Sequence, residues 1–390
     1  MPDIKAELPF REGEAFALDV AGHDLRILPR GRARLDALIE LIDEAQQSLD
    51  LVFYIYEPDT SGKRVRDALA NAAQRGVRVR LIVDGFGSSA NANFFQPLTE
   101  ANGEFRTFSA KWSRRYLIRN HQKILIADGN AAMLGGFNIA DDYFTPERGD
   151  GWSDLGLVIR GAALADLERW FDTLFQWVAE RQAPWRSIRL AVRDWNPQGN
   201  QVQVLIGGPT LGLSSWASSI LSDLDNGNRL DMMMAYFSPA AGVIFKIAEI
   251  AKRGAASLVL AGKSDNGATI GAARSLYKFL LKRKTKLWEF SHAKLHTKLV
   301  VIDDVTYIGS ANFDMRSLYL NLEVMLRIED AEFAERMRQY IAHHRDHSEP
   351  VTLEWHRKKA GLINRVRWVL SWFLVAVVDY TVTRRLNLGQ

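Results

Sequence analysis

The 390-residue sequence predicts an α/β protein of two similar domains related by a pseudo-twofold axis, each a mixed, mostly parallel sheet flanked by helices, with a basic, apolar helical tail. Three observations carry this reading. One pattern, H-x-K-x4-D followed by G-[GS]-x-N, occurs twice. It stands first as His121, Lys123 and Asp128 with Gly135-Gly136-Phe137-Asn138, then as His296, Lys298 and Asp303 with Gly309-Ser310-Ala311-Asn312. A strand–helix–strand succession precedes each copy, and residues 182–199, with Pro184, Pro197 and Gly199, read as a linker between the halves. If each fixed residue costs roughly one in twenty, a five-residue match arises about once in a million positions. Two matches, 175 residues apart, mark a duplication.

The elements follow in order. Arg34 to Ser48 carries Leu35, Leu38, Ile39, Leu41, Ile42 and Ala45 at helical spacing. Leu49 to Tyr56 reads as a strand and Pro58 to Gly62 as a loop. A helix through Val65–Ala73 ends at Arg75-Gly76, with the glycine as its C-terminal cap. Val77 to Val83 is the next strand, and this β-α-β order implies a parallel pair with a helix packed on it. The second half repeats it: a strand from Leu230 to Phe237, a loop opened by Pro239, a helix over Ile244–Ala251, Arg253-Gly254, and the strand Leu258 to Ala261. The boundaries drawn are an N-terminal extension over residues 1–30, domains over 31–181 and 201–350 with the linker 182–200 between them, and a tail over 351–390.

Within each motif, Ile124 to Ala127 and Leu299 to Ile302 are short continuous apolar runs, as in a strand buried on both faces. Positions two apart on a strand share a face, so His121 lies with Lys123 and His296 with Lys298. Asp128 and Asp303 fall at odd spacing on the opposite face. Asp128-Gly129-Asn130 is a turn signal, so these aspartates read as holding local architecture. The returning strand brings Asn138 or Asn312 beside the histidine and lysine. His292-Ala293-Lys294 also reads H-x-K, but no aspartate follows at the required place. Asp154 and Glu323 each stand alone at the start of an apolar run after a motif, as partners for the site or as ordinary strand-edge acids. A lysine in a buried strand requires an anionic partner, and a phosphate would serve.

Basic, aromatic segments lead into both motifs. Lys111 to Lys123 has five Lys/Arg, with Trp112 and Tyr116; Arg274 to Lys298 has eight against Glu289. They read as a substrate approach or as a solvated helix face. The net charge of +4 is uneven: Trp355 to Gln390 carries seven Lys/Arg against Asp379, which leaves the preceding chain at −2. A basic tail on a near-neutral body points to an anionic membrane surface, with nucleic acid not expected. Trp368 to Val378 is apolar but, at eleven residues, short of the roughly twenty that span a bilayer. With arginines on both sides it reads as an interfacial anchor, the alternative being a buried helix docked on the body. Met1 to Glu14 has no apolar run and is read as neither signal peptide nor anchor. There is no cysteine, hence no disulfide or thiolate chemistry, and His343, His344 and His347, on an expected surface helix, lack paired acids at ligand spacing.

The duplicated motif resembles the phospholipase D superfamily. Tyr54-Ile55-Tyr56-Glu57-Pro58, Arg75 to Arg80 and Asp84-Gly85-Phe86-Gly87-Ser88 are similar to bacterial cardiolipin synthases, specifically those without an N-terminal transmembrane pair. The resemblance implies one active site shared by the two domains within one chain, with the catalytic set His121, Lys123, Asp128, His296, Lys298 and Asp303. Asn138, Asn312 and Ser310 would bind the substrate phosphate, and Asp154 and Glu323 would orient the histidines through their second ring nitrogens. One histidine attacks phosphorus to form a phosphohistidine, and the other protonates the leaving alcohol and then deprotonates the incoming one. By analogy His121 is the nucleophile and His296 the acid/base; the symmetry of the copies leaves that order open. No metal or cofactor is implied. The implied reaction is phosphatidyl transfer making cardiolipin from phosphatidylglycerol and a second phospholipid, phosphatidylglycerol or phosphatidylethanolamine, at the cytoplasmic side of the cell membrane. A lipid hydrolase or nuclease using the same residues, or a non-catalytic membrane-binding protein, are the other readings. Gly136 departs from the serine usual there and removes a hydroxyl donor on that side.

Overall fold

A computed structural model describes residues 10–108, 118–145, 151–180 and 184–378. Lys111, Trp112, Arg114, Arg115 and Tyr116 of the first approach segment, and Arg384 and Arg385 of the tail, lie outside them. Each half builds an eight-stranded sheet. Edge to edge, the first runs Phe16–Val20, His23–Leu28, Gly156–Arg160, Ala131–Gly135, Lys123–Ala127, Ser48–Phe53, Arg78–Asp84, Glu104–Phe108. The second runs Val202–Gly207, Glu323–Glu329, Val305–Gly309, Lys298–Ile302, Arg229–Met234, Ala255–Ala261, Lys286–Phe290, Glu349–Val351.

Both motif strands occupy the interior of their sheets, with every residue buried, as their unbroken apolar runs require. The two-domain α/β class stands, but the expected balance of pairings is reversed. Within the two eight-stranded sheets only the β-α-β units are parallel: Ser48–Phe53 with Arg78–Asp84 and on to Glu104–Phe108, and Arg229–Met234 with Ala255–Ala261 and on to Lys286–Phe290. The motif strands instead turn back as hairpins and pair antiparallel with the β-α-β strand on their other side. A tight turn can only close an antiparallel pair.

One apolar cluster joins the facing sides of the two sheets through helices Leu164–Ala179 and Ala331–Asp346, including Ile124, Ile126, Trp170, Phe171, Leu299, Val301 and Met337. Two further clusters fill the outer sides, one beneath helices Gly31–Glu44 and Thr60–Gln74, the other beneath Ser215–Asn226 and Ala241–Arg253. The Thr60–Gln74 helix begins earlier than its periodicity indicated because Asp59 caps it, accepting from the Gly62 amide at 2.9 Å. Gly76 ends it at φ +93°.

Three boundaries move. Residues 16–28 are no extension: they form a hairpin on the edge of the first sheet, turned by Ala21-Gly22 with φ of 51° and 75°. The linker contains the helix Trp185–Arg193, whose Ile188 and Val192 join the central core. The tail region opens with Val351, which pairs with Leu287 at the edge of the second sheet, before helices Leu353–Lys359 and Leu362–Trp372. Nor does His344 lie on a surface: it is fully buried, 3.3 Å from Glu12.

Candidate active site

The two halves exchange backbone at the site. The His121 amide donates to the Leu322 carbonyl at 2.9 Å, and the Leu322 amide donates to the Arg119 carbonyl at 2.9 Å. In the other half, the His296 amide donates to the Ser153 carbonyl at 2.7 Å, beside a two-strand pairing of Lys294–Leu295 with Trp152–Ser153. Leu322 and Ser153 each immediately precede one of the two acids. The exchange therefore delivers each carboxylate to the histidine of the opposite domain. Nδ1 of His121 donates to Glu323 at 3.0 Å, and Nδ1 of His296 donates to Asp154 at 2.6 Å. With Nδ1 committed, Nε2 of each ring is the nitrogen left for chemistry. Both rings line one cavity of about 670 Å³, together with Asn138, Asn312, Tyr143 and Trp152.

The two half-sites differ electrostatically. Burial, then Lys298, holds His296 at about 3, while Asp154, although buried, stays below its ordinary value because His296 and Lys298 stand beside it. That pair is a neutral imidazole on a carboxylate. Burial likewise holds His121 well below its ordinary value, with Lys123 and Lys298 adding to it. Glu323 behaves oppositely: burial pushes it up to about 8, only partly countered by Lys123. Its Oε2 accepts from His121 and, at 2.5 Å, from Ser310, whereas its Oε1 is buried without a partner among the described residues. Gly136 stands where the second half has Ser310. A Cβ there would lie 2.5 Å from Asp154 Oδ1, so the glycine makes room for the carboxylate.

The remaining predicted residues take distinct places. Lys123 and Lys298 are fully buried and do not line the cavity, each with its ammonium on the carbonyl of its own motif histidine; Lys298 Nζ also stands 2.9 Å from His296 Nδ1. Burial lowers both, Lys298 to about 8. Asn138 lines the cavity but is already engaged, accepting from the Ile55 amide and donating to Tyr143 at 2.9 Å. Asn312 lines it too, and its Oδ1 is buried with no partner among the described residues. Ser310 is engaged with Glu323 instead of facing the cavity. Lys294 of the second H-x-K sequence sits over the Trp152 ring, 5.3 Å from its centroid.

Asp128 and Asp303, counted with the catalytic set by the motif, are not brought to the cavity. Asp128 sits in the hairpin turn at φ +52° and accepts from the amides of Gln46, Gln47 and Ser48 at 2.7–2.8 Å. Asp303 does the same for Asn228 and Arg229. Each pins the entry of the neighbouring strand. Asp128→Ala is expected to cost about 1–3 kcal/mol, since amides at a strand entry lose an anionic acceptor. Thermal unfolding would read this, while kcat of the folded fraction stays unchanged. A collapsed kcat at unchanged stability would return Asp128 to the chemistry.

Several further residues complete the site, and of these Arg34, Tyr143 and Arg316 carried no sequence signal as site residues. Tyr54 packs on His121 with ring centroids 4.8 Å apart, and Tyr143 and Trp152 each pack on His296 at 5.1 Å. Buried Arg34 donates to the carbonyls of Asp154 and Tyr143 and ties both to the first domain. Asp84, from the Asp84–Ser88 run, accepts from the Asn120 amide at 2.8 Å and fixes the approach to His121. Arg119 and Arg316 also line the cavity, as do Leu374 and Val375 from the π-helical segment Phe373–Val378 that continues the helix Leu362–Trp372. Among the described residues, no group of three or more His, Cys, Asp or Glu is arranged to hold a metal ion.

A family model described as cardiolipin synthase, PLD-like domain, matches residues 38–175 and 220–345. Cardiolipin synthase A of Pseudomonas entomophila (strain L48) is 30% identical over 375 residues, covering 90% of this chain and 77% of that protein. Major cardiolipin synthase ClsA of Bacillus subtilis (strain 168) is 29% identical over 323 residues, covering 80% of this chain and 66% of that one. Among solved structures, phosphatidylserine synthase of Haemophilus influenzae Rd KW20 superimposes with a TM-score of 0.72 at 16% identity, covering 95% of this chain and 96% of that one. That likeness is one of fold.

Proposed function

The chain belongs to the family of cardiolipin synthase, phospholipase D-like domains, and from that premise we propose that it is a phosphatidyltransferase making cardiolipin through a phosphohistidine. One observation carries the reaction details: two histidines face one cavity, each with Nδ1 held by a carboxylate of the opposite domain.

Nε2 of His121 attacks the phosphorus of phosphatidylglycerol. A nitrogen–phosphorus bond forms and the bond to the headgroup oxygen breaks; His296, which takes up a proton on Nε2 as the anionic phosphodiester binds beside it, gives that oxygen this proton, releasing glycerol. A glycerol hydroxyl of a second phosphatidylglycerol then enters, loses its proton to His296, and takes the phosphatidyl group as the nitrogen–phosphorus bond breaks. The half-site asymmetry supports this order. An imidazolium is better held by ionised Asp154, which suits an acid, whereas Glu323, protonated near neutral pH, favours a neutral His121. The ammonium groups of Lys123 and Lys298 behind the histidines and the donors around the cavity would stabilise the extra charge on the phosphoryl oxygens in the transition state.

The second proposed partner is the membrane surface. Leu362, Ile363, Val366, Val369 and Leu370 of the last helix are all more than half exposed, and the chain passes directly from that helix to Leu374 and Val375 at the cavity rim. No helix among the described residues is long and apolar enough to cross a membrane. A peripheral helix lying in the interface, on the cytoplasmic side, would bring the cavity mouth to the lipid headgroups.

Incubation with phosphatidylglycerol vesicles, with and without phosphatidylethanolamine, tests the reading by mass spectrometry of the products. Cardiolipin with released glycerol is expected, and ethanolamine as well if the second lipid is a donor. Phosphatidic acid alone would make the protein a hydrolase.

A further inference from the structure

Lys278, Lys282, Arg357 and Arg365 converge on a cleft of about 460 Å³ between helices Gly267–Leu281, Leu353–Lys359 and Leu362–Trp372, apart from the catalytic cavity. No carboxylate lines it. Nearby acids are committed elsewhere: Glu289 to Arg274 at 2.6 Å and Glu354 to Lys358 at 3.0 Å. Among the described residues none of the four cations forms an ion pair with an acid. Burial, with Arg365 and Lys278 beside it, also holds the His356 ring below its ordinary value. Four like charges around a cleft of ligand size are unfavourable until an anion enters.

Trp368 and Val369 form the apolar part of the cleft wall, and Val369 belongs to the exposed apolar face of the last helix. Close packing sets this arrangement. Gly271 leaves room for Ser371, whose Oγ would lie 2.7 Å from a Cβ there, so the last helix lies tightly along its neighbour. That neighbour links the two sites: Thr269 at its start lines the catalytic cavity, and Lys282 at its end lines the cleft. Thirteen residues of helix put them about 20 Å apart.

We propose that this cleft is a second, non-catalytic site that seats the headgroup phosphate of an anionic phospholipid in the membrane, with the acyl chains running past Trp368 onto the exposed face of the last helix. The proposal rests on the membrane-docking reading above. A headgroup held here would set the helix at headgroup depth and hold the catalytic mouth against the bilayer.

The test compares binding of the full chain to phosphatidylcholine vesicles with and without phosphatidylglycerol, by flotation. Wild type is expected to prefer the anionic vesicles. The Lys278→Ser/Lys282→Ser/Arg365→Ser protein is expected to lose at least about tenfold of that preference, given the known attraction of each surface cation to an anionic leaflet. A Lys358→Ser/Lys359→Ser/Arg367→Ser protein, with the same change of charge on helices around the cleft but outside its lining, is expected to lose distinctly less, because its cations do not converge on one phosphate. Equal losses would mean diffuse attraction and overturn the cleft, as would an unchanged cleft variant. The single variant Arg365→Gln, at an exposed position, repeats the comparison, and cardiolipin formation from short-chain phosphatidylglycerol in micelles checks the fold of every variant. Wild type indifferent to both vesicles would sink the docking reading itself, and the cleft with it.

Discussion

His121→Ala is expected to abolish cardiolipin formation, a loss on the order of 10⁵-fold or more, because in the proposed order His121 is the group that carries the phosphatidyl group. His296→Ala should lose about 10²–10⁴-fold, the usual range for a missing general acid. The two variants part further on a phosphodiester whose leaving group departs without a proton. There His296→Ala should still form the covalent adduct, and mass measurement of the quenched protein would find a phosphoryl group on His121. His121→Ala should form none. The opposite pattern, with the adduct on His296, would reverse the roles while leaving the shared site intact. No adduct in either variant or in wild type would remove the covalent step altogether.

The motif made much of this legible. His121, Lys123, His296 and Lys298 were placed by a short fixed spacing on strands whose apolar runs announce burial, and the turn chemistry of Asp128-Gly129 foretold where the aspartates would go. Spacing says less about partners far apart in the chain. That Asp154 serves His296, 142 residues away, and Glu323 serves His121, 202 residues away, follows from a backbone exchange between domains that leaves no local pattern. Tyr143 and Trp152 are buried aromatics of the kind any core holds and Tyr54 is half-buried; only the fold sets each against an imidazole. The direction of the motif strands was hidden for a related reason. Continuous apolar runs suit any strand buried on both faces, and the parallel β-α-β units upstream gave no warning that the hairpin strands would join antiparallel.

The second large effect concerns the two acids, which should respond unequally. Asp154→Asn keeps the shape but removes the charge that would hold a protonated His296, and a loss of about 10³–10⁴-fold is expected, the scale seen where a buried aspartate orients a catalytic histidine. Glu323→Gln should cost only about tenfold at neutral pH, since the amide oxygen still accepts from Ser310 and His121 and a protonated carboxyl carried no charge to lose. The pH dependence gives the sharper test. Glu323, pushed up to about 8, releases its proton as pH rises through that value, placing a negative charge behind His121 that makes Nε2 more nucleophilic. The ratio of wild-type to Glu323→Gln activity should therefore be small below pH 7 and grow above pH 8. Stability should move the other way. Between the ordinary glutamate value of 4.5 and about 8 the folded protein holds a proton that the unfolded chain has released, so wild type loses stability relative to Glu323→Gln as pH climbs through that window. An activity ratio flat from pH 6 to 9 would mean Glu323 is ionised throughout. The two half-sites would then be electrostatically alike, and the assignment of His121 as nucleophile would rest on the trapped adduct alone.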